Sequence, residues 1–491
     1  MTLQRARHGA SEVSRPASRR RMPRLTLSHT WVVLAVALPA IILLGLSLSA
    51  VDLAYHIRAG DIMLRTHHVI RTDTFSFTAF GRPWLDQQWG AQILLALLYR
   101  LGGWSLLVFV RSLCGAVVVL LVFLTCRARG ATMKQGAWLA LASGAVVVAG
   151  LMPRPQLFGV LLFALTVWIL SWRARRPRLV FMIPVIVAVW ANLHGTFFLG
   201  PLLAGLAFLE DARGHSPLAR RTLLIAVLSL VAPVLNPFGP RVWGYAVSIS
   251  TNSTITKTIT EWRPPSIRDL VGALFFGSVL AVVFIVGRSS RRVPWTSLLQ
   301  MGVFLVIGLF AVRGVWWWAI AVPPLVVDAL PERKDSAATI GDPLLNTAIV
   351  GIVAVLAIVF LPWWRGGGSG ASGAAMGDAP AALTAALRRT LPPNQRLFNP
   401  QRAGSWLEFA LPEDRVFVDS RIEVYPESVW QQYFAVSFGR SDWRSILDRW
   451  KVDVVIASRQ DQAWLISQIQ RDGRWKQIFR GSGYLAFERV T

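Results

Sequence analysis

The chain has 491 residues, 54% hydrophobic and 16% charged, with a mean hydropathy of +0.48, a balance outside that of soluble globular chains. Its formal net charge of +25 comes from short arginine clusters between apolar runs, the pattern of membrane topology rather than of nucleic-acid binding. Cys114 and Cys126 lie in one apolar run and cannot meet on one helix, so neither a disulfide nor a thiolate metal site is implied.

Residues 1–27 hold many arginines and no apolar stretch, the composition of a disordered basic tail on the cytoplasmic side. The run that follows is too long for a signal-peptide core and has no obvious cleavage site, so it reads as an uncleaved first helix. Basic clusters follow at Arg127/Arg129/Lys134, Arg173/Arg175/Arg176/Arg178, Arg213/Arg220/Arg221, Arg288/Arg291/Arg292 and Arg333/Lys334. All of them share the tail's side only if residues 87–101, short and ended by Gln and Arg, lie along the outer interface instead of crossing. The spacing then predicts an all-α polytopic domain over 28–363 with about 11 transmembrane helices. Its spans are 30–51, 105–126, 136–152, 156–172, 179–191, 196–209, 222–235, 269–287, 295–312, 315–330 and 344–362.

Between the first two spans, residues 52–104 form a first extracytoplasmic loop with two interfacial helices, and it carries Asp52, His56, Asp73 and Asp86. Charged groups this close to hydrocarbon are costly and tend to mark function. Asp52 and His56, four residues apart, share one face of a helix, so the imidazole can orient the carboxylate; the plainer reading of Asp52 is a helix cap. Because the first span runs toward Asp52 without a turn signal, function outweighs capping. Arg111, about two turns inside its span, needs an internal partner, with the loop acids as candidates.

Arg154, in Met-Pro-Arg-Pro-Gln, is a guanidinium held between two prolines and suited to a phosphate, or to snorkelling toward headgroups. Spans 179–191 and 196–209 cover only roughly 20 Å of a core about 30 Å thick. Their shared turn, Asn192-Leu193-His194-Gly195, should therefore be recessed beside a wet cavity. His194 there is a ligand or a structural hydrogen-bonding group. Arg313 precedes a tryptophan run that reads as an interfacial belt. With Gln87, Gln88, Gln156, Asn236, Glu261 and Arg263, these residues are expected to share one outward cavity.

A Gly/Ser/Ala-rich linker, 364–380, leads to residues 381–491, where strand-like runs alternate with helical ones as in a small extracytoplasmic α/β domain. No metal motif, Walker sequence or dinucleotide glycine signature is present.

Several motifs recur in a fixed order: D-x-x-x-H (52–56), D-T-F-S-F-T-x-x-G-R-P-W (73–84), R-P-Q (154–156), N-L-H-G (192–195), N-P-F-G (236–239), E-W (261–262) and D-S-R (419–421). With an uncleaved first helix ending near an acid, a long outer loop and an arginine early in the next helix, this order resembles the GT-C superfamily of membrane glycosyltransferases. It is most similar to a group of bacterial polytopic membrane proteins, over almost the whole chain beyond the tail. The resemblance implies a transferase of the bacterial cytoplasmic membrane that moves sugar from a polyprenyl-phosphate-linked donor to an envelope glycan, lipid or protein acceptor. It implies Asp52 as the catalytic acid and Arg154, His194 and Arg313 as the cations that meet the lipid phosphate; Asp73 and Asp86 are further catalytic candidates in place of the acid missing at Gln87-Gln88, and His56, Gln156, Asn192 and Glu261 of the outer polar set join the donor- or substrate-binding candidates. A divalent cation stays open as a cofactor, with no ligand set to assign. The chain departs from the pattern at Leu53, where mannosyltransferase-type members carry a second acid, and at Gln87-Gln88, where relatives often carry His-Glu. The alternatives are a transporter or flippase of a lipid-linked or anionic solute, and a non-catalytic envelope assembly protein.

Overall fold

The computed structural model describes residues 25–251, 262–332, 341–365, 376, 379–440 and 442–490. The basic tail up to residue 24, Glu261, the Arg333/Lys334 cluster and most of the 364–380 linker lie outside them.

The first apolar helix ends earlier than its composition suggests. α1 spans Leu27–Gly45, capped at its start by Thr26, and gives way to extended backbone at Leu46. α2 then starts afresh at Ala50–Thr66, with Ser49 at the N-cap position and Asp52 in the first turn. The expected continuous helix to residue 51 is therefore broken, and Arg111 supplies the reason. Its guanidinium donates to the carbonyls of Leu43, Leu46 and Ser47, satisfying the orphan acceptors at the end of α1. Its partner is this helix terminus, not a loop acid.

α3 spans Trp89–Ala128, 40 residues interrupted at Gly102 and Gly103. Gly103 has φ +60°, a backbone state that costs an L side chain strain. The break separates an arm, 89–101, from the apolar remainder, and the arm lies against α2. Their crossing is close enough that a Cβ on Gly60 would sit 2.1 Å from the Gln92 carbonyl oxygen.

The bundle continues with α4 Met133–Val148, α5 Pro155–Ser171, α6 Met182–Leu193, α7 Leu199–Arg213, α8 Ala219–Val231, α9 Arg241–Thr251, α10 Leu270–Gly287, α11 Trp295–Phe310, α12 Val315–Val326 and α13 Pro343–Val359. Each apolar run of the sequence is helical. Among the described residues, four helices are long and apolar enough to cross a membrane by themselves: Leu27–Gly45, Trp89–Ala128, Gly195–Arg213 and Leu270–Gly287. At 1.5 Å per residue the remaining apolar helices are shorter than a bilayer core.

α12 is central. Its Trp316, Trp317 and Trp318 are 5%, 3% and 3% exposed, so the tryptophan run is bundle core rather than an interfacial belt. Phe163 meets Trp317 edge-on at 5.0 Å, and the Trp318 indole donates to Ser278 at 2.9 Å. Trp316 fits because residue 150 is glycine; a Cβ there would fall within 2.1 Å of its ring.

The C-terminal domain is a five-stranded sheet of order β2-β1-β3-β5-β4, with β1 Arg396–Phe398, β2 Arg415–Val416, β3 Val454–Ser458, β4 Trp475–Gly481 and β5 Tyr484–Arg489. β1 is parallel to β2 and β3, while β5 runs antiparallel to β3 and β4. β3, buried at every position, is the hydrophobic run expected of a strand covered on both faces. Helices α14 Ala381–Thr390, α15 Gln401–Ala410, α16 Glu427–Ser437, α17 Trp443–Arg449 and α18 Ala463–Ile469 complete the α/β unit.

Loop and domain are built together. Residues 75–77 pair with the β2 edge: Ser76 bridges Val416 in parallel, Phe77 N–H donates to Val416 at 3.1 Å and Val416 N–H to Phe75 at 3.3 Å. Tyr55, Met63, Phe75, Phe77 and Trp84 of the loop share one hydrophobic cluster with Phe398, Phe417, Tyr425 and Tyr433 of the domain. At the far end of the bundle, Arg129 pairs with Asp328 at 2.6 Å, and Arg173 with Glu210 and Asp211 at 3.0 and 3.1 Å.

Candidate active site

α2 and the start of α5 bring two of the expected residues into contact. Asp52 Oδ2 lies 3.1 Å from Arg154 Nη1, both partly open to solvent. Asp52 sits in the first turn of α2, where the helix dipole favours a carboxylate. Arg154 is the N-cap residue of α5, which has Pro155 at its first position. His56, one turn beyond Asp52, is 3% exposed, and its Nδ1 has no partner among the described residues. Burial, followed by the Arg154, His194 and Arg421 charges or dipoles, holds its imidazole well below the usual histidine range. It is therefore neutral at physiological pH, a hydrogen-bonding group rather than a cation.

The loop-to-helix turn carrying His194 is held from three sides. Gln87 Nε2 and Asn236 Nδ2 both donate to the Ala191 carbonyl, the latter at 2.9 Å. Trp89 Nε1 donates to Asn192 Oδ1 at 2.8 Å, and Asn192 Nδ2 to Ala188 at 2.8 Å. The N-L-H-G and N-P-F-G motifs and Gln87 thus meet at one point. Asn192 spends both ends of its amide on the turn. His194 Nδ1 contacts Thr196 Oγ1 at 2.8 Å and lies within electrostatic reach of Arg313. Arg313 packs over the Trp262 ring at 5.3 Å.

Beside Arg154, a small concavity of about 20 Å³ is lined by Gly150, Met152, Gln156, Val160 and Trp316 among others. Gln156 Nε2 and Trp316 Nε1 are buried with no hydrogen-bond partner among the described residues. A wall that presents N–H donors suits an oxyanion.

The other two loop acids are placed differently. Asp73 is fully buried: it accepts from the Phe75 and Ser76 amides and the Ser76 hydroxyl, and lies 2.7 Å from Arg421 Nη2. Arg421 also binds Asp419, and its guanidinium is stacked 4.7 Å from Phe75 and 4.6 Å from Trp84. Tyr425 donates to Asp419 at 2.6 Å. Burial opposes ionisation of Asp419, but Arg421 outweighs it and holds the carboxyl below its usual range. Burial, and after it Asp419, raises the carboxyl of the adjacent Glu408 well above its usual range. In this arrangement Asp73 is half of a clamp between loop and domain.

Asp86 is 3% exposed. Its Oδ1 accepts from Gln92 Nε2 at 2.8 Å and its Oδ2 has no partner among the described residues. Burial pushes its carboxyl up to about 8, with Glu423 adding to the shift. Glu423, on the turn after Arg421, touches solvent, yet surrounding protein raises its carboxyl too. Tyr245 of α9 donates to Glu423 at 3.4 Å. Glu423, Tyr55 and Tyr245 carry no motif signal of their own, the D-S-R motif near Glu423 being the one available hint, and Trp316 was expected in an interfacial belt rather than beside the site. Among the described residues no three His, Cys, Asp or Glu side chains group as metal ligands.

Comparison of the sequence with protein-family models and with curated proteins finds no match. Comparison of the structure finds clear neighbours. The oligosaccharyltransferase of Archaeoglobus fulgidus, tethered to an acceptor peptide, aligns over 94% of this chain and 74% of its own at 12% identity and TM-score 0.53. ArnT of Cupriavidus metallidurans bound to undecaprenyl phosphate aligns over 94% and 98% at 15% identity and TM-score 0.53. The arabinofuranosyltransferase AftD from Mycobacteria aligns over 96% of this chain and 40% of its own at 13% identity and TM-score 0.54.

Proposed function

We propose, from this GT-C fold, that the chain is an integral-membrane glycosyltransferase that takes sugar from a polyprenyl-phosphate-linked donor. In this reading eleven spans cross the bacterial cytoplasmic membrane, short ones included, and the sheet domain and the Asp52–Arg154 pair face outward. The acceptor is an envelope glycan, lipid or protein. Paired basic and acidic groups at the far end of the bundle then lie on the cytoplasmic side, in keeping with the distribution of arginines.

The observation that carries the reading is the Asp52–Arg154 contact beside a concavity walled by N–H donors with no partner among the described residues. A guanidinium shared between a carboxylate and an incoming lipid phosphate does two jobs. It neutralises the charge that develops on the phosphate as the anomeric carbon–oxygen bond breaks and the electron pair leaves with that oxygen. In turning to the phosphate it also loosens its hold on Asp52, which then accepts the proton of the attacking acceptor group. In this reading Arg313, within electrostatic reach of His194, serves as a second cation, and neutral His56 as an orienting group.

The test is transfer of a labelled lipid-linked sugar by the purified chain in proteoliposomes. Asp52→Asn should lower transfer by roughly 10²- to 10⁴-fold; unchanged transfer would remove Asp52 from the chemistry. Movement of the labelled lipid across the bilayer without a new glycosidic bond would favour a flippase instead.

A further inference from the structure

We infer that Arg58, Arg65 and Arg100 form a docking surface for the headgroup of an anionic phospholipid in the outer leaflet. This goes beyond the transferase reading and takes from it only the outward placement of the first loop.

Three guanidinium groups converge on one carboxylate where α2 meets the arm of α3. Arg65 Nη2 lies 2.6 Å from Asp61 Oδ2, Arg100 Nη2 lies 2.5 Å from Asp61 Oδ1, and Arg58 Nη1 lies 3.9 Å from Oδ2. Arg100 adds a second bond through Nε at 3.0 Å. Among the described residues no other carboxylate is in ion-pair range of these arginines. Three cations against one anion leave a formal surplus of two positive charges. The side chains of Arg65, Arg100 and Arg58 are 67%, 44% and 21% exposed, so the surplus faces out of the fold. Positive charge on the cytoplasmic side follows from topology; a surplus gathered on the outer side does not.

The arm sets the depth of this patch. Leu94, Leu97 and Leu101 are 39%, 39% and 79% exposed. At 3.6 residues per turn they share one face of the arm, with Arg100 about a quarter of a turn away. The opposite face carries Gln92 and Ala96, against which Gly60 of α2 is pressed. Directly after Leu101 the chain breaks at Gly102 and Gly103 and enters the apolar remainder of α3. Arg100 and Leu101 therefore stand at the outer boundary of the hydrocarbon, where headgroup phosphates lie. An amphipathic helix at that level sinks its leucines toward the acyl chains and holds its arginines among the phosphates. A phosphodiester offers the paired oxygens that a guanidinium fork grips. In phosphatidylcholine a quaternary ammonium offsets that charge, so surplus cations favour a headgroup that is negative overall. Asp61 and Asp52 share α2, roughly 13 Å apart along its axis at 1.5 Å per residue. A lipid held at one end of α2 thus fixes the height of the carboxylate at the other against the donor phosphate.

The delipidated full chain in neutral detergent can be titrated with phosphatidylglycerol and with phosphatidylcholine of the same acyl chains, and retained lipid counted by native mass spectrometry. Phosphatidylglycerol should bind about tenfold more tightly. Arg65→Gln and Arg100→Gln should each weaken its binding about fivefold, the worth of one basic group near an anionic leaflet, with melting close to wild type. Asp61→Asn removes the one negative charge and should strengthen retention, an effect that misfolding cannot imitate. Equal binding of the two lipids, a preference untouched by both arginine variants, or weaker retention in Asp61→Asn would overturn the inference. So would an equal loss in Arg440→Gln, exposed on the sheet domain, which would mean general charge attraction. Loss of bound polyprenyl phosphate in place of phosphatidylglycerol would assign the arginines to the donor and overturn it too. No sugar transfer enters the measurement, so an absent lipid preference leaves the transferase reading standing, and failed transfer leaves the preference in view.

Discussion

Arg154 Nη1 stands 3.1 Å from Asp52 Oδ2, at side-chain exposures of 18% and 22%. A pair this open to water contributes little to stability, typically about 0–1 kcal/mol. Asp52→Asn and Arg154→Met should therefore melt within a few degrees of wild type while transfer collapses. A scan of each variant beside the transfer assay checks this; melting and transfer falling together would make the pair structural. Arg154→Lys keeps the charge but loses the fork geometry, so it should weaken donor binding more than it lowers turnover.

The Arg421 clamp behaves oppositely. With the cation gone, Asp73 and Asp419 are left buried and uncompensated, a loss of about 3–5 kcal/mol for a broken buried pair. Arg421→Met should lower the melting temperature clearly and open the 73–84 loop to protease. Wild-type resistance to trypsin in that variant would mean that the β-edge pairing of residues 75–77 suffices without the clamp.

Gly60 tests the crossing of α2 with the arm of α3. An added Cβ would lie 2.1 Å from the Gln92 carbonyl, which cannot move without displacing its helix. Gly60→Ala should cost about 1–3 kcal/mol by overpacking and shift Asp52 and His56 with α2. Gly205→Ala, where a Cβ meets nothing within 4 Å, is the control and should be close to neutral.

Asp86 makes stability depend on pH with a definite sign. Its carboxyl is raised by burial to about 8, against an unfolded value near 3.9. Between those values the folded chain holds a proton that the unfolded chain has released, so stability falls as pH rises from about 4 to about 8. Asp86→Asn removes this dependence. Its stability relative to wild type should climb across that window and level off above it, by thermal melting at pH 5, 6.5 and 8. A constant difference at all three would mean that Asp86 is ionised in the fold.

Much of the architecture was readable because long apolar runs leave few choices. Helices at each run and a C-terminal α/β unit follow from hydrophobic periodicity and breakers; the break at Gly102 and Gly103 that sets residues 89–101 apart as an arm was not read from the sequence. The order of the D-x-x-x-H, R-P-Q and N-L-H-G motifs pointed to the residues gathered around Asp52, Arg154 and His194. Two local expectations failed for physical reasons. The first helix stops at Gly45 because Arg111, 66 positions away, caps its carbonyls; the tryptophan run is core because α12 is surrounded by other helices. Neither neighbour is visible along the chain.

By itself, then, the sequence determined the membrane character, the helical segments and the set of polar residues worth suspecting, since each follows from local composition and spacing. Tertiary structure alone decided how those residues divide. Asp52 meets Arg154 beside a donor-lined hollow, Asp73 is locked against Arg421 of a domain more than 300 residues away in sequence, and Asp86 is buried beside Gln92. Three aspartates of one loop are chemically identical as letters. Their burial and their charged neighbours, set by how the loop joins the edge of a distant sheet, make one a candidate base, one a clamp and one a protonated acid.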